Sequence, residues 1–192
     1  MRTPIPDRPD EAPSQRRRER KWLPVLAVLA TIAFVTGGAA SVGDAVSRPV
    51  RLAETVRFDP APGWIEVGRR VEEGLHELLL QRGSAGLYVV VLPEEGGTAV
   101  ELAESYASFG LRRQYARVTI GDAEAATLGD GVPAVRYGYV GVSTDGVATE
   151  GVVVTAVTPD GTGVVFDGFA PQGELAAAID DLGAMLEGVD LT

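Results

Sequence analysis

The sequence predicts an α+β protein: one N-terminal membrane helix, then a mainly antiparallel sheet with helices packed on it. Three observations carry that expectation. An uncharged run extends from Trp22 to Gly43, short β-rich runs separated by Pro, Gly and Asp turns follow it, and two stretches, around Leu102 and Leu182, repeat apolar residues at helical spacing. At 192 residues the chain has room for one ordinary domain beyond the membrane segment.

Residues 1–21 form a polar head with Pro4, Pro6, Pro9 and Pro13 and no apolar periodicity, a composition that favours a disordered cytoplasmic segment. It ends in a basic cluster of Arg16, Arg17, Arg18, Arg20 and Lys21. Residues 22–43 are the transmembrane helix: at about 1.5 Å per residue, ~20 residues span a hydrocarbon core of about 30 Å. With the arginines before the run and Asp44 after it, the positive-inside rule leaves the head in the cytoplasm and the remainder outside. Gly38-Ala39-Ala40-Ser41 offers a peptidase site, but the apolar run exceeds the about 7–15 residues of a signal h-region, which favours an uncleaved anchor. No cysteine follows for a lipid anchor.

Charge is divided unevenly across that membrane. The head holds seven basic and four acidic residues; of the chain's 17 Lys+Arg and 27 Asp+Glu this leaves 10 against 23 beyond it, a net charge of −13. Such a domain is repelled by phosphate backbones, so nucleic acid is excluded as a main partner. With no Cys, disulfides, thiolate metal sites and Cys nucleophiles are ruled out, and the single His76 rules out a multi-histidine zinc site. No Asn occurs and Lys21 is the only Lys, a bias expected of a GC-rich genome such as an actinobacterium's.

Residues 44–54 read as a linker and 55–192 as the extracytoplasmic domain. Thr55 to Phe58 is a first short strand, stopped by Asp59-Pro60-Ala61-Pro62-Gly63. Trp64 to Val67 resumes as a strand, and Leu75 to Gln81 and Leu87 to Leu92 pair around Arg82-Gly83-Ser84-Ala85-Gly86. Thr98 and Glu101 make a capping box that opens a helix to Arg113, with Leu102, Tyr106 and Phe109 on its apolar face. Arg117 to Ile120 is a short strand. Val135 to Val142, Glu150 to Thr158 and Val164 to Phe169 form an antiparallel meander, turned at Asp145-Gly146 and Asp160-Gly161. Leu175, Ile179, Leu182 and Leu186 mark a second amphipathic helix, with Asp180, Asp181 and Glu187 on its wet side.

A strand ending in Phe58-Asp59-Pro60-Ala61-Pro62-Gly63-Trp64, paired strands, a helix, Gly131-Val132-Pro133-Ala134 opening a three-strand meander, and a closing helix: this order resembles the PsbP/Mog1-like fold over most of residues 55–190. The resemblance implies an α/β/α sandwich around an antiparallel sheet. It implies no single activity, because members include binding and accessory proteins with unrelated partners, and it supplies no catalytic motif.

Most chemical motifs read as structure. Gly129-Asp130-Gly131-Val132-Pro133-Ala134 fits G-x-G-x-x-A, but Pro133 and β-formers follow where the dinucleotide fingerprint needs a helix, so a turn into a strand is expected. G-x-S-x-G is missing. His76 lies in an apolar strand and reads as a hydrogen-bonded structural histidine. Glu94-Glu95 and Asp180-Asp181 read as solvated pairs, and the Asp-Gly pairs lack a calcium loop's spacing. Arg112, Arg113 and Arg117, with Tyr115 among them, form a basic patch suited to a carboxylate or phosphate ligand, against the plainer role of cations at a helix C-terminus. Trp64 is expected to pack beneath the sheet as a core anchor. These readings converge on a single-pass membrane protein whose outer domain binds an envelope protein partner, without catalysis, cofactor or metal. A small-ligand or lipid carrier is the alternative, and an enzyme ranks third.

Overall fold

The computed structural model describes residues 49–192 except 73, 94 and 130. The expected head, the membrane run and residues 44–48 of the linker lie outside the described residues. No helix among the described residues is long and apolar enough to cross a membrane.

The chain opens with two short paired strands, β1 (Val50–Leu52) and β2 (Val56–Phe58), then runs through β3 (Ile65–Glu72), β4 (Leu75–Arg82) and β5 (Ala85–Leu92) as antiparallel neighbours. Helix α1 follows in three parts: an α-helical start at Ala99–Ser105, a π-helical stretch at Tyr106–Leu111 and a closing turn at Arg112–Gln114. The chain then lays down β6 (Arg117–Ile120), β7 (Glu124–Leu128), β8 (Val132–Val142), β9 (Ala148–Val157) and β10 (Gly163–Pro171). A 3₁₀ turn (Leu175–Ala177), helix α2 (Ile179–Glu187) and β11 (Asp190–Leu191) close it. The main sheet has the order β3-β4-β5-β10-β9-β8-β6, with β7 paired to β8 alongside β6, and β1-β2-β11 form a separate small sheet.

The main sheet is covered on both faces, which explains why β5 is apolar without alternation and buried throughout. On one face Val90, Val153 and Val165 meet Leu102, Ala103 and Tyr106 of α1. On the other, Leu78, Val89, Val154 and Phe166 meet Leu182 and Met185 of α2, together with Val50, Leu52, Val56 and Phe58 of the small sheet. The layering is the expected sandwich, with an antiparallel sheet between helices.

Several boundaries are corrected. The linker expected over 44–54 gives Val50–Leu52 to the small sheet, where Val50 and Leu52 are buried and Arg51 points out. Asp190–Leu191, not expected as a strand, forms β11 by pairing with β2. β7 was not expected, because Glu124-Ala125-Ala126-Thr127-Leu128 is poor in β-formers; its pairing with β8 supplies what its side chains do not. The capping box is present, with the Thr98 hydroxyl accepting from the Glu101 N–H at 3.2 Å and the Glu101 carboxylate accepting from the Thr98 N–H at 3.0 Å. The helix beyond it widens into the π stretch. That wider turn lowers both Gly110 and Leu111 into the core and leaves Phe109 half-buried. The G-x-G-x-x-A segment is the turn from β7 into β8, as expected. Gly129 stands at φ 47°, and a Cβ there would lie 1.7 Å from the Val189 carbonyl oxygen, so only glycine lets the turn dock on the end of α2.

Trp64 is fully buried, the core anchor that its turn foretold. Its indole Nε1–H donates to the Asp181 carboxylate at 3.0 Å, and the Arg82 guanidinium stands 5.7 Å from the ring centroid. Arg82 also ion-pairs with Asp181 and donates to the Ala177 carbonyl at 3.0 Å. Asp181 therefore belongs to a sheet-to-helix latch rather than to a solvated pair, while Asp180 stays exposed.

Truncating Trp64 to Ala is expected to cost about 3–5 kcal/mol in denaturant unfolding. Trp64→Phe, which keeps most of the packing and forfeits the hydrogen bond, is expected to cost less than half as much. In a Trp22→Phe background Trp64 is the sole indole, and its emission is expected to be blue-shifted and poorly quenched until the domain unfolds. Red-shifted, freely quenched emission from the folded protein would refute the placement.

Candidate functional site

The expected basic patch is only partly assembled. Arg112 and Arg113 are exposed in the closing turn of α1, and Arg117 is exposed at the start of β6, opposite Val142. The Arg113 guanidinium lies over the Phe109 ring at 5.3 Å, a cation–π contact that occupies one face of that ion. Tyr115 does not belong to the patch: it is buried, with its ring seated on Gly141, where a Cβ would come within 2.5 Å of it.

His76 sits half-buried on β4 between Val71 and Val91 in register, within the apolar strand as expected, but its imidazole makes no hydrogen bond among the described residues. The Asp-Gly turns behave as turn chemistry requires. Asp145 accepts from the Ser143 hydroxyl, and Asp160 accepts from the hydroxyls of Thr158 and, at 3.1 Å, Thr162. Of the Glu94-Glu95 pair, Glu94 lies outside the described residues.

The constellation with the most chemistry is one that sequence reasoning passed over. Asp167 lies in the middle of β10, between β5 and β9, and is fully buried. The Tyr106 hydroxyl from the π stretch donates to one of its carboxylate oxygens at 2.7 Å, and the Tyr139 hydroxyl from β8 donates to the other at 3.0 Å. Tyr88 is its register neighbour on β5, and the hydroxyls of Tyr115 and Tyr139 stand 3.5 Å apart. Tyr137 completes the set from β8, its hydroxyl 3.4 Å from the Ala103 carbonyl oxygen of α1. These are all five tyrosines of the chain. Glycines give the rings their seats: a Cβ at 151 would lie 2.4 Å from the Tyr139 ring, and one at 110 would lie 2.9 Å from that of Tyr106.

A second buried carboxyl adjoins the first. Glu77 on β4 is 1% exposed, accepts from the Tyr88 hydroxyl through one oxygen, and has no hydrogen-bond partner at the other. Burial pushes the carboxyls of both Asp167 and Glu77 above the ordinary carboxylate range, Asp167 up to about 6, against the opposing pull of the donating tyrosines. The tyrosines move upward too: desolvation first, then the Asp167 carboxylate, or for Tyr88 the Glu77 carboxylate ahead of it, holds every one of them in the phenol form, with Tyr115 pushed up to about 12. The arrangement can store or release a proton and fasten helix to sheet. No cluster of His, Asp and Glu able to hold a metal ion occurs among the described residues. The signal was present in Val164-Val165-Phe166-Asp167-Gly168-Phe169, a carboxylate inside an apolar run, and in Tyr137-Gly138-Tyr139, two phenols on one face of a strand. Without the register, nothing linked them.

No protein-family model and no curated sequence matches the chain. Solved structures do share its fold. The cyanobacterial PsbP (CyanoP) of Synechocystis aligns at TM-score 0.57 and 15% identity, covering 81% of this chain and 98% of its own. LpqN, a Mycobacterium tuberculosis protein involved in cell envelope biogenesis, aligns at 0.52 and 14% identity, covering 78% and 87%. The Saccharomyces cerevisiae Ran-binding protein Mog1p aligns at 0.53 and 12% identity, covering 77% and 96%. The fold is PsbP/Mog1-like.

Because the folded state holds its tyrosines protonated while an unfolded tyrosine ionises near pH 10, stability is present below about pH 10 and is lost as pH rises beyond it. Alkaline titration followed by phenolate absorbance is therefore expected to show one cooperative step that coincides with loss of secondary structure. A gradual rise near pH 10 with the fold intact would contradict the burial of the cluster.

Proposed function

We propose that this chain is a single-pass membrane protein, N-terminus in the cytoplasm, that displays its PsbP/Mog1-like domain outside the cell as a non-catalytic binding or accessory module. The observation that carries the proposal is the uncharged run Trp22 to Gly43 behind the basic cluster Arg16 to Lys21, with the domain's first strand beginning at Val50, close after it. Membership of the same fold by LpqN, named for cell envelope biogenesis, and by Mog1p, named for binding Ran, supports an accessory role in the envelope. A non-catalytic role is supported by the placement of the acid groups with shifted proton affinity and convergent partners. Asp167 and Glu77 are enclosed by the core, beyond the reach of a dissolved substrate. The partner is an envelope protein in this reading, and Arg112, Arg113 and Arg117 are the residues proposed to meet an acidic group on it.

A reporter active only outside the cytoplasm, fused after Thr192, is expected to be active, and a cytoplasm-dependent one silent; the reverse pattern would reject the topology. A photocrosslinking residue at Arg117 is expected to trap one discrete envelope protein in living cells, while the same residue at Glu187 on α2 traps none. Equal capture at both positions would reject the assignment of the arginines.

A further inference from the structure

We propose that Asp167 is a proton-operated clasp between sheet and helix: its protonated carboxyl fastens the π-helical half of α1 to the sheet, and its ionisation makes that half the first part of the domain to open.

The geometry carries this. The carboxyl is fully buried in a central strand, and both of its described hydrogen bonds come from neutral hydroxyls, Tyr106 on α1 and Tyr139 on β8. Phenols face it from most of the elements around it: Tyr88 from β5, Tyr106 from α1, Tyr115 from the segment after α1, Tyr137 and Tyr139 from β8; β9 presents Val153. The nearest charges act at one remove, with Glu77 of β4 bound to Tyr88, and Arg70 of β3 beside Glu77 in register. No cation contributes to the proton affinity of Asp167, so once the proton leaves its charge is met only by the two phenol hydrogen bonds, and burial outweighs them.

The helix side of the clasp is the weaker side. Tyr106 begins the π stretch, whose hydrogen-bonding pattern is the rarer and less favourable helical form. Elsewhere α1 is tied down differently. Its first turn has the capping box, and the Thr155 hydroxyl donates to the Ala99 carbonyl at 2.8 Å. Tyr106 is where the π stretch reaches the carboxyl, whereas the first turn is held by its cap and by Thr155.

The direction of the effect follows from the burial. A carboxyl whose proton is held up to about 6 in the folded state, against 3.8 in an ordinary aspartate, favours the closed helix fully below pH 4 and releases that advantage as pH rises through about 6. Through this group acidification tightens the π-helical half of α1, opposite to the usual acid denaturation.

Full-length protein in detergent micelles provides the test. The ¹³C carboxyl signal of Asp167 is expected to titrate with a midpoint about two pH units above an ordinary aspartate. Tyr106→Phe removes one hydrogen bond that favours the ionised form, so its midpoint is expected to move higher still. Amide exchange at Tyr106–Leu111, corrected for intrinsic pH dependence, is expected to accelerate on the order of tenfold to a hundredfold between about pH 4.5 and pH 7.5. Amides of α2 are expected to change far less, and Asp167→Asn to abolish the difference. A midpoint in the ordinary aspartate range, an unmoved midpoint in Tyr106→Phe, or a pH dependence that survives in Asp167→Asn would each overturn the clasp. If Asp167→Asn fails to fold, the carboxyl titrations of the wild type and Tyr106→Phe decide the matter alone.

Discussion

Strand β10 is covered on both faces, and the neighbouring packing is fitted to that constraint. On its α2 side, Val164, Phe166 and Ala170 are apolar, and Gly168 lets the helix come down: a Cβ there would lie 2.8 Å from Leu182. On its α1 side, Val165 and Phe169 are apolar, and the Phe169 ring lies across Gly86 of β5, where a Cβ would be within 2.4 Å of it. A strand packed this closely keeps a polar side chain from bulk solvent. Its one carboxylate, Asp167, must find its donors in neighbouring elements, because an unpaired buried carboxylate costs several kcal/mol. Tyr106 and Tyr139 meet that need, which fixes how the π stretch of α1 and β8 sit over the sheet.

Much of the architecture was legible because it rests on local patterns. Thr98 and Glu101 announce a helix start by residues that satisfy each other's backbone, and the meander from Val135 to Phe169 is bounded by Asp-Gly turns that need no tertiary context. What escaped reading depends on partners distant in sequence. β1 is three residues whose alternation means nothing until β2 returns beside it, and β11 exists only by pairing with β2. β7 is alanine-rich and gains its strand character from β8. The π stretch looks in sequence like an ordinary helical turn; its widening follows from seating both Gly110 and Leu111 in the core.

The candidate site escaped for the same reason. Five tyrosines spread from 88 to 139 carry no common spacing, and Asp167 reads as one more residue of the strand Val164 to Phe169. Register alone brings them together: Asp167 faces Tyr88 across β5, while Val153 of β9 separates it from Tyr137. Asp181 was missed by a similar displacement, since its helix face is wet by periodicity yet meets Trp64 and Arg82 from the sheet side. Solved structures at 12–15% identity share this layering. Conservation of layers at such identity says little about a site, so the tyrosine cluster must be judged by its own geometry.

That geometry favours hydroxyls over a cation for a physical reason. An arginine or lysine beside Asp167 would hold its charge permanently and lower its proton affinity, at the desolvation cost of a second buried ion. A phenol can donate to the ionised carboxylate or accept from the protonated one. Tyr139, 3.0 Å from Asp167 and 3.5 Å from the Tyr115 hydroxyl, can therefore turn its O–H from one neighbour toward the other when the proton arrives. Such a turn of one O–H needs no change of side-chain rotamer, and what the proton changes is the free energy of holding the cluster closed. A buried carboxyl surrounded by phenols is thus compatible with one fold over a range of pH, while the strength with which the helix is held follows the proton.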